Sequence, residues 1–214
     1  MQRNVALYCR HMDQAADTST TARPRRAEAI FAATLELLAT AGYEGLTMES
    51  VALRAGVNKT TLYRWWKSKD EVLAAALTGS DLLTFPVPDT GSLRGDLVET
   101  ARSIHRLLTD AATAPIAAAV LAASPGRPSL AAIGRMFFAD RAAREHPIFR
   151  RAVERGELDN GADPRLIMDM LAGAIWFRLF LRTEPVEAAD IEAAVDMLLG
   201  GVAPQQHEAS GGRP

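Results

Sequence analysis

The residues with the most evident chemical use lie in one run, GVNKTTLYRWWKSKDEVL, from Gly56 to Leu73. It sets Lys59, Arg64, Lys67 and Lys69 among Tyr63, Trp65 and Trp66, and it holds no acid before Asp70. Such a cluster either offers cations to a polyanion or forms an ordinary solvated helix end. The chain carries a formal charge of −2 over 214 residues, so overall composition does not account for a local surplus. Other chemistries are poorly supplied. Cys9 is the only cysteine, which excludes an intramolecular disulfide. The four histidines, His11, His105, His146 and His207, form no i,i+3 or i,i+4 pair that could chelate a metal from one helix face. No metal and no cofactor is expected. No Gly-rich phosphate loop, nucleophile elbow or His/acid pair at helical spacing marks an active site, so the chain does not read as an enzyme.

The elements that must position the cluster follow from periodicity. Hydrophobic residues make up 48% of the chain, ordinary for a soluble globular protein. The longest apolar run, Leu166 to Leu181, is interrupted by Asp169 and Arg178 and falls short of the roughly 20 residues of a membrane span. The amino terminus lacks the apolar block of a secretory signal, which points to a cytoplasmic protein without a membrane partner. No segment keeps a period-2 alternation, whereas apolar residues recur at helical spacing, so the expected fold class is all-α.

Between a disordered tail at 1–23 and a Pro/Gly linker at 79–92, residues 24–78 read as a helix-turn-helix domain. Its first helix, over 25–41, puts Ile30, Thr34, Leu37, Leu38 and Ala41 on one face and ends at Gly42. Thr47 caps a short second helix with Glu49 in its first turn. Asn58 caps a third, and Ser68 with Glu71 forms a capping box for a fourth. Residues 93–203 read as a C-terminal helical domain, with helices at 93–110, 115–123, 129–155, 164–181 and 186–199, before a disordered tail at 204–214. The segment 164–181 is apolar around nearly its whole circumference, and such a helix must be covered on all sides. We expect the last two helices to pack against a second copy, with Met170, Phe177, Ile191, Val195 and Leu198 at the interface and Arg178 paired with an acid across it.

The second helix, the turn AGVN and the third helix have the shape of a helix-turn-helix, whose second member lies in the DNA major groove. With Leu62 and Trp66 turned inward, Thr60 and Arg64 point out, and Thr61 and Tyr63 flank them. Arginine can grip guanine in a bidentate manner, and threonine can offer a hydroxyl to a base or its methyl to thymine. Thr47, Lys59, Tyr63 and Lys69 sit at the edges, suited to phosphates. Lys69 also stands at the amino end of the fourth helix, where unpaired N–H groups attract phosphate.

The stretch AIFAATLELLATAGYEGLTMESVALRAGVNKTTLYRWWKSKDEVLAAAL resembles the N-terminal domain of the TetR family of bacterial transcriptional regulators, over residues 25–77 without gaps. The resemblance implies phosphate contacts at Thr47, Tyr63 and Lys69, and base contacts along Asn58, Lys59, Thr60, Thr61, Tyr63, Arg64 and Trp65. Trp66 takes a place where the family usually has phenylalanine, which fits a core position. Residues 90–202 also resemble family C-terminal domains, notably in DTGSLRGDL and ERGEL. That implies a ligand-binding and dimerisation domain with an apolar pocket, for which His105, Phe137, Arg141, Trp176 and Phe180 are candidates. The expected function is a homodimeric repressor, released from a palindromic double-stranded DNA operator by an unknown small-molecule effector. The alternative is a ligand-independent dimeric regulator or a nucleoid-type binder.

Overall fold

Every regular element among the described residues is helical, as the dominant 3.6-residue recurrence requires. The computed structural model describes residues 26–123 and 127–202. We number the helices α1 (Ala27–Gly45), α2 (Met48–Arg54), α3 (Lys59–Trp65), α4 (Lys69–Gly79), α5 (Leu93–Thr109), α6 (Ala114–Ala123), α7 (Pro128–Glu154), α8 (Pro164–Trp176) and α9 (Ala188–Val202). The two expected tails, and Cys9 with them, lie outside the described residues. The chain divides into two compact units. One comprises described residues up to Leu82 together with Ala119–Ala143, and the other comprises Leu83–Ala118 and the residues from Arg144 onward.

In the first unit, α1 is the central support. Its buried residues Ala27, Ile30, Phe31, Thr34, Leu35 and Leu38 recur at steps of three and four, giving a stripe wide enough to hold both α2 and α4. This stripe is broader than the sequence suggested: Phe31 and Leu35 are buried, whereas Ala41 is exposed. Thr34 is tolerated inside because its hydroxyl donates to the Ile30 carbonyl at 2.7 Å. At Gly42 the backbone turns to φ 68°, ψ −179°, which side-chain-bearing residues avoid, and regular α1 geometry is interrupted there. The amino end of α7 belongs to the same unit. Arg127 pairs with Glu44 and lies 5.8 Å from the centroid of the Tyr43 ring.

The second unit has a core built from four helices. Leu97, Ala101 and Leu108 of α5, Ile148 and Ala152 of α7, Leu171 and Ile175 of α8, and Ile191 and Val195 of α9 meet in it. Two ion pairs pin α9 onto α5: Arg94 to Asp196 at 2.7 Å and Arg102 to Glu192 at 2.8 Å. The two C-terminal sequence motifs also meet here. Asp96, fully buried, accepts from the Thr90 N–H at 2.7 Å and from the Thr90 hydroxyl at 2.9 Å, and Arg151 approaches its other oxygen at 3.4 Å. Glu157 accepts the N–H of Leu93, one of the unpaired donors in the first turn of α5. A Cβ at Gly95 would collide with the Thr90 hydroxyl, so the motif needs glycine at that point.

Two expectations for this unit need correction. Ile191, Val195 and Leu198 are buried in the unit's own core, because the α5–α9 ion pairs turn that face of α9 inward, so they form no surface for a second copy. Met170 and Phe177 are exposed, and with Leu166, Leu181 and Met197 they make up the apolar surface that α8 and α9 leave uncovered. Arg178 binds Asp190 at 2.7 Å within its own chain, not an acid across an interface. Beyond Trp176 the backbone widens into a π turn, Phe177–Arg182, closed by Thr183 in the left-handed region at φ 55°. The long α7 continues through Pro147 as one helix.

Candidate nucleic-acid interface

Two seven-residue helices, too short to persist alone, are held by caps at both ends. The Thr47 hydroxyl accepts from the Ser50 N–H, and the Ser50 hydroxyl accepts from the Thr47 N–H, both at 3.0 Å, so the amino end of α2 is closed by a reciprocal box. Its carboxyl end closes through Gly56 at φ 62°, with Val57 N–H donating to Ala52 and Gly56 N–H to Leu53. This six-to-one and five-to-two pattern uses the left-handed residue to reverse the chain within two positions. The same device ends α7 at Gly156, with donors Glu157 and Gly156 to Ala152 and Val153. Asn58 then starts α3 by accepting from the Thr60 N–H at 2.8 Å.

Leu62 is the one residue of α3 that is fully buried, and its burial contributes about 1.5–3 kcal/mol to holding the helix on its unit. Lys59, Thr60, Thr61 and Arg64 are exposed, while Tyr63 and Trp65 are half-buried. The outward set therefore stands as the helical wheel predicted. Trp66 lies just beyond the helix in extended conformation and packs edge to face on buried Phe31, with centroids 5.8 Å apart. It is turned inward, but only half-buried.

The cations are less available than the sequence suggested. Lys67 donates to the Tyr63 and Arg64 carbonyls at 3.0 and 3.5 Å, and so closes the carboxyl end of α3. Lys69 donates to the Tyr43 carbonyl at 2.9 Å, with its ammonium 3.9 Å from the centroid of that ring. Lys59 is ion-paired with Glu49 and lies 5.7 Å from the Tyr63 ring. The hydrogen bond between that pair raises the Lys59 pKa and lowers that of Glu49. Arg64 leans on the Trp65 ring at 5.6 Å. The capping box expected at α4 is half-formed. Ser68 accepts from the Glu71 N–H, but the Glu71 carboxylate accepts from the backbone N–H of Lys67 and not from that of Ser68.

Sequence reasoning passed over Tyr43. Its hydroxyl donates to Asp70, and burial followed by that hydrogen bond raises its pKa. The Tyr43–Asp70 and Tyr43–Lys69 contacts span 27 and 26 positions, which no local period reveals. The role of Lys67, by contrast, was readable as a lysine just past a helix end.

The other candidate residues fall into two pairs and a single. Phe137 and Arg141 touch on α7, with the guanidinium 5.0 Å from the ring, inside the first unit. Trp176 and Phe180 pack edge to face at 5.9 Å in the second unit, where His105 is half-buried on α5.

Residues 30–76 match the family of bacterial regulatory proteins described as tetR, and residues 87–198 match the tetracyclin repressor-like C-terminal domain. The chain is 37% identical over 175 residues to an uncharacterized HTH-type transcriptional regulator of Mycobacterium bovis, covering 81% of this chain and 85% of that protein. It is 34% identical over 177 residues to the DNA-binding transcriptional repressor TetR of Mycobacteroides abscessus, covering 81% and 92%. The solved structure of the TetR family transcription regulator SCO0332 aligns with a TM-score of 0.65 at 38% identity, over 84% of this chain and 98% of that one. Both halves thus match in sequence and in fold, and the chain belongs to the TetR family of DNA-binding transcriptional regulators.

Proposed function

We propose that the chain acts as a homodimeric repressor that holds a pseudo-palindromic operator with one α3 per half-site and releases it when a small molecule binds. The observation that carries the DNA half of this reading is the anchoring of α3 by Leu62, which leaves Thr60, Thr61 and Arg64 together on the outward side. Arg64 then reads a base in the major groove, while Thr47, Tyr63 and Lys69 hold backbone. Two such helices must enter one face of the duplex, so half-sites lie about one turn, ~34 Å, or a multiple of it apart. The second copy covers the exposed apolar side chains Leu166, Met170, Phe177, Leu181 and Met197. The effector contacts candidates Trp176, Phe180 and His105 within the second unit.

Selection of bound duplexes from a random pool tests the first part, because it needs no knowledge of the operator. Arg64→Ala should bind the selected site ~1–3 kcal/mol more weakly and lose preference at one base pair per half-site. An unchanged selection profile removes Arg64 from base recognition. A thermal-shift screen followed by operator titration tests release. Compounds that bind yet leave operator affinity unaltered favour the ligand-independent alternative.

A further inference from the structure

Of the four cations in the run from Gly56 to Leu73, only Lys59 has its charged group on a carboxylate among the contacts described above. Lys67 binds helix carbonyls, Lys69 binds the Tyr43 carbonyl and ring, and Arg64 rests on an indole. The partner of Lys59 is Glu49, which carries the same sign of charge as a phosphate. We propose that Glu49 is a built-in competitor for the DNA backbone, holding Lys59 so that sequence-independent affinity stays low. This inference rests on the assignment of α3 and its edges to DNA.

The backbone of Glu49 is held in place. It sits in the first turn of α2, locked by the Thr47–Ser50 box, at the same end as the Thr47 hydroxyl assigned to phosphate. Both side chains are well exposed, 51% for Lys59 and 59% for Glu49, so the pair opens at little cost when a phosphate arrives. Opening leaves a carboxylate beside the phosphate that Lys59 has taken. Across roughly 7 Å of water that repulsion weakens binding about three-fold per protomer at low salt, and about ten-fold for a dimer on both half-sites. Salt screens this repulsion, so the penalty is largest at low ionic strength and fades as salt rises. The penalty acts at every site alike, so it lowers the absolute affinity of the backbone contacts and leaves the ratio between sites to the base contacts.

The test uses the full chain as wild type, Glu49→Gln, Lys59→Met and the double variant. Each is titrated by fluorescence anisotropy against a random-sequence duplex and against the site recovered by random-pool selection, over a range of potassium chloride concentrations. Glu49→Gln should bind the random duplex about ten-fold more tightly as a dimer at low salt, and the gain should shrink as potassium chloride screens the repulsion. The double variant should match Lys59→Met, because the gain passes through Lys59. Glu49→Ala, a neutral residue of another shape, should repeat the gain and separates the loss of charge from any local change in α2. Wild-type affinity and slope in both neutral variants overturn the proposal, as does a gain that survives in the double variant. Wild type that binds no duplex at low salt brings down the underlying assignment to DNA, a result distinct from either.

Discussion

Changing Met197 to glutamate and, separately, Leu198 to alanine distinguishes the surface proposed to meet a second copy from the core that α9 fills by itself. Met197 is 76% exposed and Leu198 is 8% exposed, although they are neighbours on one helix. In an isolated protomer Met197→Glu changes stability by no more than about 0.5 kcal/mol, since the side chain touches little. In a dimer that covers this face, each protomer would bury an unpaired carboxylate at about 3–5 kcal/mol, which raises the dissociation constant at least ~100-fold. Leu198→Ala instead leaves a cavity among α5 and α9 side chains and costs about 2–3 kcal/mol. For a unit of this size that lowers the melting temperature by roughly 10–20 °C. Sedimentation velocity over a concentration series reads the first effect, and calorimetry at fixed concentration reads the second. Met197→Glu that remains a dimer at the wild-type dissociation constant refutes the interface, and Leu198→Ala that melts with wild type refutes the buried face of α9.

Other perturbations address the elements that hold the interface in place. Gly56→Ala forces a side chain into φ 62° and should cost about 1–2 kcal/mol from the backbone alone, since an added Cβ would meet only Arg26 Nη1 at 3.7 Å; an unchanged thermal melt contradicts this. Arg155 bonded to Glu157, helped by the Leu93 N–H and opposed by burial, holds that carboxyl below the usual range. Its stabilisation is therefore complete above the unfolded value of about 4.3 and is lost as pH falls through the lower folded value. Glu157→Gln should flatten that acid limb in pH-dependent denaturation, and a limb identical to wild type rejects the assignment. Tyr43→Phe keeps the ring beneath Lys69 and should bind DNA nearly as wild type does. Tyr43→Leu should lose about 0.5–1 kcal/mol on all sequences alike, and anisotropy showing no loss dismisses Tyr43 as the residue that positions Lys69.

The parts of the fold that were legible in the sequence are those written in local chemistry. Thr47, Asn58 and Ser68 announced helix starts because each cap bonds within two or three residues, and Gly42 and Gly56 announced ends because a positive φ excludes most other residues. Leu62 was found by the same local periodicity. The misread residues depend on what lies across space. Ile191, Val195 and Leu198 form an apolar stripe whether it meets α5 or another protomer, and only the long-range pairs Arg94–Asp196 and Arg102–Glu192 decide which. Lys59 and Lys69 looked available because Glu49 and Tyr43 lie in other helical turns of the sequence. A basic cluster in sequence records how much charge is present, and not how much is already engaged.

The anchoring of α3 by a single side chain has a consequence for how such a regulator changes over generations. Lys59, Thr60, Thr61 and Arg64 contribute little to keeping the helix in place, since exposed substitutions usually alter stability by less than about 0.5 kcal/mol. Under the proposed assignment of α3 to DNA, mutations there rewrite which site the protein recognises without threatening the fold. Leu62 and the turn through Gly56 have no such latitude. Recognition and architecture are thus inherited separately within one seven-residue helix, and a duplicated gene could acquire a new regulon by a few changes on a single face.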